Sequence, residues 1–475
     1  MSLKTPNTIE AIPKQWSISP DYCLRFVKKR HGRYRFDPEN QSRLRNSLLA
    51  AVGFFELANA GDFAANVWNQ VPAPKYAIAL MAVGGTMALF MTYFAYRDAR
   101  LSWFNLKGLR TERRHLLRTL EEVEAGNEQQ QTTGTFHVVN ALLDVNRREM
   151  GTEIIDRIGM DSLMGFGALM VGVGALLAID GADHHAWQAS NLLSGYIGNA
   201  PMAIYGLVNL LWSIYVWLRA RRHGIAYAVK QSSQDDGIDA TVGVLLTRRI
   251  HSVQLHATLN GVTGVVAGAA SLVTATMWWG YVVLIPCITI SVIVNYLWRH
   301  RLGYDRPLFI EQLPIIDEAS LIEELKHINA IQQVLLSSKK SKSKSTSTST
   351  STSTSLSSSL AAFSGAVSDP QSFSSTLDFM ARHELLEDFC LRVLNDKELS
   401  ARVFDHTTDP NVTVYPCTLA SVDDESVTRR LHEVACLCID ELGLMHLKYR
   451  ERYLLETLGC YMTGSAGSSK FENAV

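Results

Sequence analysis

Six apolar stretches, at about 46–67, 75–96, 160–179, 197–218, 255–277 and 279–298, constrain this chain more than any other feature. A helix rising about 1.5 Å per residue needs roughly 20 residues to cross the hydrocarbon core of a bilayer. No water reaches that core, so each backbone amide must bond within its own segment, and such stretches cross as helices. Mean hydropathy over all 475 residues is only +0.03, because polar ends and a Ser/Thr tract dilute the middle of the chain. The expected fold class is all-α: a polytopic helical membrane protein with about six transmembrane helices, plus a small cytosolic helical module. The first stretch carries Glu56, Asn59 and Asp62, and a half-buried or re-entrant helix is its alternative reading.

The opening "MSLKTPNTIEAIPKQWSISP" has no continuous apolar core of the signal-peptide kind, so the first apolar stretch is expected to target the chain. Orientation follows from Lys and Arg, which stay on the cytosolic side. Arg43, Arg45, Arg97, Arg100, Arg147, Arg148, Arg157, Arg219, Arg221, Arg222, Arg248, Arg249, Arg299 and Arg301 all flank the spans on one side. The connections at 69–74, 180–195 and 278–280 contain no Lys or Arg. Both termini are therefore expected in the cytosol.

Short outer connections and long basic inner ones pair the spans as three hairpins. Two of these look related, through "ELANAGDFAANVW" (Glu56 to Trp68) and "ALLAIDGADHHAW" (Ala175 to Trp187). The expected organisation is a cytosolic N-terminal segment, 1–45; a six-span bundle, 46–302, with helical inner loops at 97–157 and 219–252; and an amphipathic helix, 303–337. A Lys/Ser/Thr linker, 338–360, and a helical module with a disordered tail, 361–475, follow. In the amphipathic helix Leu321, Leu325, Ile328, Ile331 and Leu335 recur at helical spacing. In the module, Leu386, Phe389, Cys390, Val393 and Leu394, then Leu431, Val434, Ala435, Cys438 and Leu442, form core-facing stripes, and Gly443 is expected to interrupt the second helix.

The segment from Asn146 to Trp212, which contains "MGFGALMVGVGALLAIDGADHHAW", resembles the central hairpin of a family of uncharacterised integral membrane proteins of filamentous fungi. "KYRERYLLETLGCYM", Lys448 to Met462, is similar to that family's C-terminal region. The likeness covers most of the chain from about residue 30, apart from the Ser/Thr tract. It implies a fungal multi-pass membrane protein and brings no catalytic or binding residues with it.

Two groups of polar residues are candidate sites. Glu56, Asn59, Asp62 and Asn66 are spaced three, three and four apart, so on a helix they share one polar stripe. A charge at the bilayer centre costs about 2.5–3.5 kcal/mol, so such groups mark either a transport path or helix–helix pairing, and pairing is the plainer reading. Asp180, Asp183, His184 and His185 offer metal-ligand chemistry in an outer loop. Adjacent histidines diverge on a helix, however, and a solvated loop capping the third span explains them with less. His432 and Cys436 lie one turn apart, but Cys436 and Cys438 lack zinc-knuckle spacing. Cys390, Cys417, Cys436, Cys438 and Cys460 read as reduced cysteines of the cytosolic module, and no metal or cofactor is expected.

Gly165, Gly167, Gly172 and Gly174 line the third span, and Gly264 and Gly268 form a Gly-x-x-x-Gly spacing in the fifth, which favours close helix packing and permits a homo-oligomer. The chain contains no P-loop, Gly-x-Ser-x-Gly, His-Glu-x-x-His or dinucleotide fingerprint, and its basic loops lack the interleaved aromatics of a nucleic-acid surface. The expected function is a non-catalytic organiser or accessory of a membrane process, not an enzyme and not a nucleic-acid binder. Its partners would be the lipid bilayer and a cytosolic protein reached through the C-terminal module. The alternative is a transporter or channel for a small solute or ion, built on the first-span stripe.

Overall fold

The computed structural model describes residues 23–29, 32–37, 43–45, 62–67, 73–125, 129–180, 183–232, 239–309, 317–345, 367, 369–404 and 411–472. They form two compact units, residues 41–326 with 451–475, and residues 1–40 with 327–450.

The first unit is a helical bundle. Its main helices are α1 (Lys75–Ala125), α2 (Gln129–Gly151), α3 (Met160–Leu177), α4 (Ala200–Ser232), α5 (Ala240–Thr274) and α6 (Gly280–Leu297). A π-helical segment, Thr152–Gly159, joins α2 to α3, and a second, Asn191–Ile197, leads from His184–Ser190 toward α4. Five helices among the described residues are long and apolar enough to cross a membrane: Lys75–Ala125, Gly134–Asp180, His184–Ser232, Ala240–Thr274 and Gly280–Leu302. Residues 46–61 lie outside the described set, and the described end of the first apolar stretch is the five-residue helix Phe63–Val67. With 51 residues, α1 is about 77 Å long, more than twice the thickness of a hydrocarbon core, so only part of it can lie within one.

The bundle is packed with small residues inside and large ones outside. On α1, Tyr76, Leu80, Val83, Met87 and Phe90 form an exposed stripe at helical spacing, while Ala77, Met81, Gly85 and Ala88 on the opposite face are buried. An added Cβ at Gly85 would sit 3.0 Å from the Gly172 carbonyl oxygen, and one at Gly206 only 2.4 Å from that of Gly264. Such close backbone approach draws packing energy from small residues where lipid offers little hydrophobic drive. The most extensive packing joins α1 to α3, α4 to α5, and α5 to α6. The first two of these pairs differ from the hairpin pairing expected from connection length: α2 intervenes between α1 and α3, and residues 233–239 separate α4 from α5. Gly264 and Gly268 face Gly206 and Ala203 of α4 in the same chain.

The second unit has a conventional apolar core. Within it, α8 (Phe373–Arg382), α9 (Leu386–Asn395) and α10 (Glu425–Cys438) bury Leu377, Met380, Phe389, Cys390, Val393, Leu431, Ala435 and Cys438. α7 (Glu318–Ser345) continues into the Lys/Ser/Thr tract, eight residues past the end expected from its apolar spacing, since lysine and serine sustain a helix without adding to its buried face. The N-terminal segment contributes strands. Leu24–Lys28 pairs antiparallel with Tyr34–Phe36 and with Asn411–Val414, placing Phe26 opposite Phe36 and Val412. The turn between the first two strands has Gly32 at φ +77°, a backbone angle that glycine adopts without strain. These strands depart from an all-helical module.

The C-terminal region holds two further corrections. Gly443 does not end the helical run; it closes a π-helical segment, Ile439–Gly443, that runs directly into the helix Leu444–Glu472. From Glu451 onward this helix belongs to the bundle, so the expected tail is helical to Glu472 and Cys460 is a bundle residue. Its buried Leu454, Leu455 and Leu458 give it an apolar face, and its buried acid Glu456 finds counter-charges there.

Candidate functional site: a buried ionic network in the bundle

Helices that cross a bilayer carry their charges near their ends, and in this bundle many of those charges turn inward. Arg157, on the π-helical segment, lies 2.9 Å from Asp98 Oδ1 and 3.2 Å from Glu153 Oε1, with all three buried. The Asn105 amide donates to the same Glu153 oxygen at 3.1 Å. Arg306 forms a bidentate pair with Glu112, at 2.6 and 2.7 Å, and a second pair with Glu149. Asn146 and the Phe309 amide donate to Glu112 as well, at 2.8 and 3.1 Å. Burial works against the charged form of Arg306, but the two carboxylates outweigh it and hold its pKa well above the usual arginine value. Bidentate geometry and additional donors are what a buried pair needs to offset desolvation.

The third cluster centres on Glu456. Arg219 pairs with it directly, Arg249 Nη2 donates to Oε2 at 2.7 Å, and Arg148 Nε lies 3.2 Å from Oε1. The three arginines come from α4, α5 and α2, so one carboxylate ties the C-terminal helix to three others. Burial alone would raise the Glu456 pKa; the three guanidinium groups reverse this and hold it well below the ordinary carboxylate value. Arg219 also reaches Asp144 Oδ2 at 3.0 Å and Cys460 Sγ at 2.8 Å. The ligand atoms of Asp144, His223 and Cys460 lie within 4.8 Å of one another. The Arg219 guanidinium already supplies a cation to that group. Burial pushes the Cys460 thiol up, the opposite of an activated nucleophile.

Beside this cluster an open pocket with a cavity volume of about 70 Å³ lies between α4, α5 and the π-helical segment. Its polar end holds Arg148, Arg219, Arg249 and Glu456, and its apolar walls include Trp212, Val216, Val253 and Trp298.

The residues singled out from sequence lie elsewhere. Glu56 and Asn59 fall outside the described residues. Asp62 is buried and accepts hydrogen bonds from Tyr281 Oη at 2.8 Å and Asn66 Nδ2 at 2.9 Å, which makes it a partner in helix pairing. Asp183 caps the helix His184–Ser190 by accepting from the His185 amide at 3.1 Å. His184 stacks on Trp187 and contacts Gln188, and His184 and His185 are both exposed. Asp180 ends the preceding turn, and the four outer residues are not gathered around a common point. His432 contacts Thr376 Oγ1 at 3.2 Å.

Sequence reasoning took Arg148, Arg157, Arg219 and Arg249 as markers of orientation and so missed the network. The signal lay in the acids beside them, Asp98, Glu112, Glu149 and Glu153, and in Glu456, alone in an apolar helical run.

Fold and site together define a multi-helix protein suited to a membrane, whose interior charges neutralise one another. No known protein family, no curated protein and no solved structure matches the chain.

Proposed function

We propose that this chain is a non-catalytic, multi-pass membrane protein that organises or assists a membrane-associated process, and that it belongs with the fungal membrane proteins its central hairpin resembles. The observation that carries this reading is the fate of the interior polar groups. Glu456 is bound by three arginines, Arg306 by two glutamates, and Asn209 and Asn260 bond each other at 2.9 Å. Groups spent on tying helices together do not line a path for a solute. The unit formed by 1–40 and 327–450 supplies the surface for a cytosolic partner. The exposed arginines Arg97, Arg100, Arg147, Arg221, Arg222, Arg248, Arg299 and Arg301 support cytosolic termini. A glycosylation acceptor engineered at 184–192 would then be modified, and the natural sequon at Asn411 would not.

The transporter reading draws on Asp62, a buried member of the first-span stripe. Flux through the full-length chain in proteoliposomes separates the two. An organiser leaves permeability at that of protein-free vesicles, for the wild type and for Glu56→Gln and Asp62→Asn alike. Solute flux above this leak that disappears in either variant would establish the transporter instead.

A further inference from the structure

We infer that the pocket beside Glu456 binds a phosphate-bearing headgroup. Its polar end brings three guanidinium groups to one carboxylate, so the wall keeps hydrogen-bonding capacity after Glu456 is satisfied. Arg249 is the clearest case: its side chain is 9% exposed, Nη2 is committed to Glu456, and Nη1 has no hydrogen-bond partner among the described residues. An unpaired buried donor costs free energy, and an anion seated in the pocket recovers it.

Asp156 also lines the pocket; its Oδ2 accepts from Trp212 Nε1 at 2.9 Å while Oδ1 is buried without a partner among the described residues. A phosphate monoester meets both needs, with an anionic oxygen toward Arg249 and its remaining P–OH as the donor toward Asp156. Trp212, Val216, Val253 and Trp298 continue the cavity as an apolar wall, fitting the glycerol or acyl portion of an amphiphile. Basic pockets between helices at the cytosolic face of a bilayer are the usual setting for such headgroups. The inference holds whether the chain organises or transports.

The test is thermal unfolding of the full-length protein in a non-ionic detergent, titrated separately with inorganic phosphate, phosphatidic acid and phosphatidylcholine of matched chain length. The expected result is a saturable rise in midpoint with phosphatidic acid and none with phosphatidylcholine. A rise with inorganic phosphate too means that the anion alone suffices; a rise with phosphatidic acid only means that the lipid is recognised as a whole. Arg249→Gln should weaken binding about tenfold or more, the loss of one charged hydrogen bond. Val253→Phe, which fills the apolar wall and leaves every charge in place, should abolish the lipid response, and it decides the matter if Arg249→Gln does not fold. The inference is overturned if neither phosphate nor phosphatidic acid shifts the midpoint, or if both variants respond as the wild type does.

Discussion

The two units solve the problem of an interior in opposite ways. In the unit formed by 1–40 and 327–450, large apolar side chains such as Phe389, Met380 and Leu431 are buried, and charged pairs such as Arg429 with Glu425 are exposed. In the bundle, Phe90, Leu211, Val282 and Ile293 are exposed, while glycines, alanines and paired charges occupy the inside. Water drives the first arrangement by expelling apolar surface. Where lipid replaces water that drive vanishes, and close backbone contact with hydrogen-bonded or ionic pairing takes over. The two interiors should therefore fail for different reasons.

The largest expected effects come from attacking each interior at its own strength. Phe389→Ala empties a fully buried site and should cost about 3–5 kcal/mol, whereas Arg306→Leu makes the site more apolar yet should cost about as much by leaving Glu112 and Glu149 buried without their cation. Chemical denaturation of the full chain checks both, and an Arg306→Leu protein as stable as wild type would break the comparison.

Glu456 gives it a pH dependence. Its pKa is lower in the folded state than the ordinary 4.5, so the stability it contributes is fully present above that value and is lost as pH falls through the lower folded pKa. Thermal midpoints below pH 4.5 should therefore fall less steeply for Glu456→Gln than for wild type, although the variant starts lower at neutral pH. Parallel slopes would remove Glu456 from the lock.

Gly206→Ala adds one methyl group 2.4 Å from the Gly264 carbonyl and should cost about 1–3 kcal/mol, in a fold where Gly→Ala inside a helix ordinarily helps. The smallest effect belongs to the other unit. Ser372 caps α8 by accepting from the Ser375 amide, so Ser372→Ala should cost about 1 kcal/mol, read as a modest drop in denaturation midpoint.

Much of this contrast was legible in the sequence. Period-3.6 apolar spacing located α7, α9 and α10, and long apolar runs located five helices long and apolar enough to cross a membrane, because both signals are local. What was hidden depends on distant partners. Tyr34–Phe36 and Asn411–Val414 are too short to announce strands, and they become strands only by flanking Leu24–Lys28. Connection length favoured hairpins, but the glycines of α3 and α5 selected α1 and α4 as packing partners instead. Arginine position carries two meanings, orientation and pairing, and the residue alone does not separate them. The outer histidines drew attention by composition, but Asp183 beside them has the local task of starting a helix.

The Glu456 cluster also sets an order of events during synthesis. The glutamate follows Arg219 by 237 residues and Arg249 by 207. At about 5–20 residues per second, a ribosome needs roughly ten to forty seconds to make the shorter of these intervals. For that time the three arginines are in place without the carboxylate they share, and Asp144, already made, answers only Arg219. The bundle is electrically complete only when its C-terminal helix arrives, so a chain stalled before Glu456 would hold its helices but carry a cluster of positive charge that Asp144 neutralises only in part.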